Sequence, residues 1–267
     1  MQKYKYLFFG LILSFVACKE KVEIDMQDVA PLLVVEGEVN TELDSSYVIL
    51  SLTSNYYNSE KSPIVKNATV SVNGIPFVFN ATKEKYLPAP GFIGFTDSTY
   101  TLNIEANGKT YSAVSKIEKM FRIDSFFQTW KEKSGFLEAG YSLSYVGFDD
   151  RPLTKYTYFV NGKLDTVYNV DSLEKDRILF DNSFTPINQS YNFEIPFARF
   201  QKGEEYVAIF RSVDKNMYDF LLAYNSQSPD IPGPFQTPPA NLPTNIKGGA
   251  VGYFAGYDVK RWRYRVK

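Results

Sequence analysis

The chain has 267 residues, 44% of them hydrophobic and 22% charged, the balance of a globular protein and not of a disordered one. Its net charge of −1 creates no global field that would draw it to nucleic acid or anionic lipid. With no histidine and a single cysteine, it has no Ser-His-Asp or Cys-His catalysis, no histidine-ligated metal, no intramolecular disulfide and no thiolate metal cluster. The 20 Tyr and 22 Phe favour β-structure, where such side chains pack across strands.

Residues 1–21 open with Lys3 and Lys5, followed by an apolar run from Leu7 to Ala17. That run is shorter than the roughly 20 residues a membrane span needs. It ends in Phe15-Val16-Ala17-Cys18, which resembles the lipobox of a bacterial lipoprotein signal peptide. This reading makes 1–17 a signal peptide and Cys18 a lipidated first residue, with 18–31 a polar tether ending at Pro31.

From 32 to 118 short β-rich runs alternate with turn signals, at 32–39, 47–53, 68–79 and 100–114. Asn73-Gly74 and Asn107-Gly108 sit between alternating apolar residues, a strong hairpin signal because both residues accept positive φ. This density of strands predicts a β-sandwich of immunoglobulin or transthyretin type. Residues 119–267 read as a second β-rich domain, with strands at 121–130, 141–148, 154–162, 191–200 and 204–213. The period then changes. Met217, Phe220, Leu221 and Tyr224 recur at helical spacing behind Asp214, predicting one helix near 214–226 with Asp214 as its cap. A proline-rich loop follows at 228–245, with six prolines and Phe235. A glycine-rich strand (248–259) and the basic alternation of 260–267 close the sequence.

Several of these segments together carry a resemblance. GPFQTPPANLPTNIKGGAVGYFAGYDV (233–259), LVVEGEV (33–39), NATVSVNG (67–74), YTLNIEANGKTYSA (100–113) and KGEEYVAIFRSVDKNMYDFL (202–221) occur in the order and spacing of the family called domain of unknown function 4249. The chain resembles that family over nearly its whole mature length. The resemblance implies a Bacteroidota outer-membrane lipoprotein, often encoded beside a TonB-dependent transporter, and it supplies no catalytic residues.

Few residue patterns suggest chemistry. Ser212-Val213-Asp214-Lys215 matches a Ser-x-x-Lys motif, but the Ser-Asp-Asn and Lys-Thr-Gly elements that accompany it in serine enzymes are missing, so it reads as a capping turn. Glu36 with Glu38, and Asp149 with Asp150, are candidate carboxylate pairs whose plainer reading is a solvated strand face and a turn. The glycines at 248, 249, 252 and 256 fit no phosphate loop and instead mark bulges or close backbone approach. Arg261, Arg263 and Arg265 alternate with Trp262, Tyr264 and Val266, which gives one cationic face and one core face. Ser98, Thr166 and Ser172 each follow an aspartate, in a pattern resembling O-glycosylation motifs of exported Bacteroidota proteins. Lys19-Glu20-Lys21 leans toward a cell-surface position.

The expected function is a non-catalytic binding or accessory module for a TonB-dependent β-barrel transporter. It would be held to the outer membrane by lipid on Cys18, with neither cofactor, metal nor nucleic acid. The expected contact surface is Phe235, Tyr253, Phe254 and Tyr257, since aromatics dominate recognition surfaces. Two alternatives stand beside it: a structural envelope lipoprotein with no small ligand, and a carboxylate-dependent glycan-active enzyme.

Overall fold

The computed structural model describes residues 30–54, 62–163, 177–196, 199–227 and 241–267. Cys18, the signal and tether segment before residue 30, Thr166, Ser172, Phe235 and residues 228–240 of the proline-rich loop lie outside them. The protein is mainly β. Pro31–Lys267 form one compact unit.

The first seven strands are β1 (Leu33–Asn40), β2 (Tyr47–Leu52), β3 (Thr69–Val72), β4 (Ile75–Asn80), β5 (Lys85–Leu87), β6 (Thr99–Ala106) and β7 (Lys109–Lys116). Both Asn-Gly pairs are two-residue hairpin turns. Val72 pairs with Ile75 and Ala106 with Lys109, and all four turn residues have positive φ, as a type I′ turn requires. The inward alternation of Val35, Val39, Val48, Leu50, Leu102 and Ile104 builds the first core.

The later elements are β8 (Arg122–Lys131), β9 (Gly140–Phe148), β10 (Tyr156–Lys163), β11 (Ile178–Asp181), β12 (Ser190–Glu194), β13 (Glu205–Val213), helix α1 (Lys215–Ser226), β14 (Val251–Tyr257) and β15 (Val259–Arg265). The predicted 191–200 strand is shorter than its apolar run suggests: β12 stops at Glu194, two residues before Pro196, which has no N–H to offer a ladder. A three-stranded sheet (β12-β9-β8) and a four-stranded sheet (β11-β10-β13-β15) share an aromatic core. There Phe159 stacks on Phe210 at 5.2 Å, and Tyr145 meets Phe193 at 5.3 Å.

Within the four-stranded sheet β13 is buried on both faces. Tyr206, Ala208 and Phe210 of β13 enter the aromatic core, while Val207 and Ile209 enter a third core with Met217 and Leu221 of α1. This accounts for the unbroken apolar run of 206–210, which lacks the alternation of a half-exposed strand.

Chain order and spatial order part at β14. Although it follows α1, it pairs in parallel with β1, from Val34↔Val251 to Asn40↔Tyr257. The result is an eight-stranded sheet in the order β14-β1-β2-β5-β4-β3-β6-β7. Phe254 points into the first core, and Tyr253, Ala255 and Tyr257 point into the third. One strand therefore contributes a face to each of two cores. The glycines permit this closeness: a Cβ on Gly252 would lie 2.1 Å from the Val35 carbonyl oxygen, and one on Gly256 would lie 2.9 Å from Ile117.

Candidate functional site

Asp214 caps α1 by accepting the Met217 N–H at 2.8 Å. Its other carboxylate oxygen accepts the Ser115 hydroxyl at 2.7 Å, and Ser115 Oγ accepts the Gly256 N–H at 2.9 Å. The Tyr253 hydroxyl also reaches the carboxylate, at 3.4 Å. One side chain thus ties β7, β14 and α1 together. Burial, reinforced by the Asp214 charge, pushes the Tyr253 phenol far up, so it is a neutral hydrogen-bond donor at any physiological pH.

Beside this junction, residues 243–247 are stitched between β14 and β7. The Asn245 side chain accepts the Phe254 N–H at 3.1 Å and donates to the Phe254 carbonyl at 2.7 Å, as a neighbouring strand's backbone would. Lys247 and Ser112 exchange backbone hydrogen bonds of 2.7 and 3.2 Å. Between this segment and the first turns of α1 lies an open cleft of about 430 Å³. Val114 and Tyr253 supply its apolar surface, and Asn216, Asp219, Asn245 and Lys247 its polar surface. The end of the proline-rich sequence, Pro243 to Asn245, forms one wall of the cleft, and such an open surface of mixed polarity suits binding better than sequestered chemistry.

A second cleft, of about 280 Å³, is ionic. Lys155 meets Glu118 at 2.8 Å, Lys116 lies between Asp97 (3.4 Å) and Glu118 (3.5 Å), and Lys119 meets Asp150 at 3.1 Å. Below them the Arg151–Asp149 pair is almost fully buried at 2.8 Å. Its cations are paired with its own carboxylates, so the cleft is self-neutralised.

The candidate residues fall into distinct places. Tyr253, Phe254 and Tyr257 are all buried core residues and do not form the expected surface patch, because the strand that carries them is covered on both faces; only Tyr253 still borders the larger cleft. Glu36 is exposed, as a solvated strand face predicts, but Glu38 is not. Glu38 is buried beneath Arg211 of β13 at 3.0 Å and accepts the Asn40 amide at 2.7 Å. Asp149 is likewise buried in an ion pair and does not lie in a solvated turn. Ser212 is fully buried; its hydroxyl donates to the Glu118 carbonyl and accepts the Asp258 N–H at 3.0 Å. Lys215 turns to Asp219 at 2.5 Å, so the Ser-x-x-Lys residues each serve a structural bond. Ser98 lies partly buried in the β5–β6 connection, its carbonyl accepting the Ile117 N–H at 3.0 Å. Among the described residues no three or more acidic or cysteine side chains gather as a metal site, and no helix is long and apolar enough to cross a membrane.

Sequence reading did not locate the Glu38–Arg211 pair or the Asn245 clamp. Their partners lie 173 and 9 residues away, with no local pattern linking them.

Fold and cleft define a mainly β protein with an open surface cleft of mixed polarity between residues 243–247 and its helix. The chain belongs to the family described as Domain of unknown function (DUF4249), whose model matches residues 19–263. Neither a curated protein nor a solved structure matches it.

Proposed function

We propose that this protein is a lipid-anchored, non-catalytic binding module of the outer membrane that serves a TonB-dependent β-barrel transporter in substrate capture or gating. The reading draws its membrane attachment from Lys3 to Cys18 and its partner class from the family resemblance. The observation that carries the binding role is the cleft between α1 and residues 243–247. It presents the exposed Asn216 amide and Lys247 ammonium beside the apolar surface of Val114 and Pro243, while Ser212, Glu38 and Asp149 are committed to structural bonds. Such a surface holds a ligand or partner by many modest contacts.

Affinity purification of the tagged full-length protein from solubilised outer membranes tests this. A β-barrel transporter should co-purify, and reproducible absence of any barrel would overturn the proposal. Deletion of the lipoprotein should also reduce uptake through that transporter; full uptake would favour a purely structural role.

A further inference from the structure

We propose that the edge of β15 that no strand of the described residues covers binds an extended acidic polypeptide segment by strand addition. β15 is the last strand of the four-stranded sheet and is bonded on one side to β13. Just beyond it, the Val266 N–H donates to the Glu204 carbonyl at 2.9 Å and the Val266 carbonyl accepts the Gly203 N–H at 2.8 Å. Backbone groups alternate sides along an antiparallel strand, so those of Arg263 and Arg265 are directed away from β13.

Side chains close both ends of this edge. The Val259 N–H donates to Thr41 Oγ1 at 3.0 Å. At the other end Gln128 accepts the Lys267 N–H and donates to the Lys267 carbonyl, each at 2.9 Å. The Gln128 amide thus supplies at Lys267, just past the strand, the two bonds a neighbouring strand would make. Between these clamps Arg263 and Arg265 are exposed and hold no ion pair among the described residues, whereas Arg261 is bound to Glu42 and Lys260 to Asp258.

Charge selects the occupant. Residues 259–267 carry five cations and no acid. A second copy of β15 would set arginine against arginine, which opposes pairing. An anionic membrane surface would engage the charges but leave the backbone groups unused. An extended segment with acids at alternate positions satisfies both. This inference does not depend on the transporter reading.

The test uses full-length protein in detergent and a labelled peptide alternating glutamate with valine. The peptide should bind, and N-methylation of its edge-facing amides should weaken binding by at least about tenfold. The double variant Arg263→Glu/Arg265→Glu should weaken it by at least about tenfold and favour the lysine-for-glutamate peptide instead. Because both arginines project into solvent, an unchanged circular dichroism spectrum will verify the fold, and Arg263→Gln/Arg265→Gln gives an intermediate loss. Equal binding of the N-methylated peptide, equal binding of the lysine peptide to the native protein, or no binding of the acidic peptide would each overturn the proposal.

Discussion

Gly252 and Gly249 offer a controlled comparison of what β14 requires. Both have positive φ, +97° and +85°, so alanine at either carries a backbone cost of about 1–3 kcal/mol. Their surroundings differ completely. At Gly249 a Cβ would meet nothing within 4 Å, whereas at Gly252 it would lie 2.1 Å from the carbonyl oxygen, 2.9 Å from the carbonyl carbon and 3.0 Å from the nitrogen of Val35. These are backbone atoms of the paired strand, so the β1–β14 ladder itself must separate. Separation loosens Phe254, which is fully buried in the first core, and loss of such an anchor costs about 3–5 kcal/mol when it is complete. Gly249→Ala should therefore lower stability by about 1–3 kcal/mol and Gly252→Ala by about 4 kcal/mol or more. Urea unfolding followed by tryptophan fluorescence and far-ultraviolet circular dichroism, with slopes compared, measures both. Equal destabilisation, or a larger loss at Gly249, would mean that the Val35 backbone does not constrain position 252.

Three further outcomes follow from the same contacts. Arg211→Met leaves Glu38 as an unpaired buried charge and should cost about 3–5 kcal/mol, while Glu38→Met/Arg211→Met should recover most of that in the same urea assay; an equally unstable double variant would contradict it. The Arg261 hydrogen bond, outweighing burial, holds Glu42 below the usual carboxylate range. Its stabilising contribution is present above the unfolded pKa of about 4.3 and is lost as pH falls through the lower folded value, so Glu42→Gln should flatten the decline in stability between about pH 5 and 3. Burial raises the phenols of Tyr86, Tyr145, Tyr206 and Tyr257. The fold therefore favours their protonated forms, with full stability below about pH 10 and loss above it. Phenolate absorbance should rise in two stages, the second coinciding with loss of circular dichroism; a single stage with the fold retained would contradict this.

Where the physics is local, it was legible. Asn73-Gly74 and Asn107-Gly108 announce their hairpins because the turn chemistry and both flanking strands lie within a few residues. Asp214 and the spacing of Met217 and Leu221 announce α1 and its buried face, and the alternation after Lys260 separates the outward arginines from Trp262 and Tyr264. What stayed hidden depends on partners far along the chain. The parallel ladder joins Val34 to Val251, and no pattern in either strand names the other. Its consequence for the site was equally hidden: Tyr253, Phe254 and Tyr257 read as surface aromatics until β1 and β13 are placed on either side of them. Glu38 and Asp149 read as solvated acids because the arginines that bury them become neighbours only in the folded chain, even where, as with Arg151, they stand two residues away. The glycines were legible as sites of close approach, but which backbone approaches was not.

Site-specific photo-crosslinking in intact cells reports whether the cleft beside α1 meets a transporter. Lys247 is exposed and lines the larger cleft, so a photoreactive residue there reports on what occupies it. The expected result is a light-dependent adduct whose partner is an outer-membrane β-barrel transporter, or the substrate that transporter imports. Exclusive crosslinking to proteins unrelated to transport, or no adduct during active uptake, would contradict it.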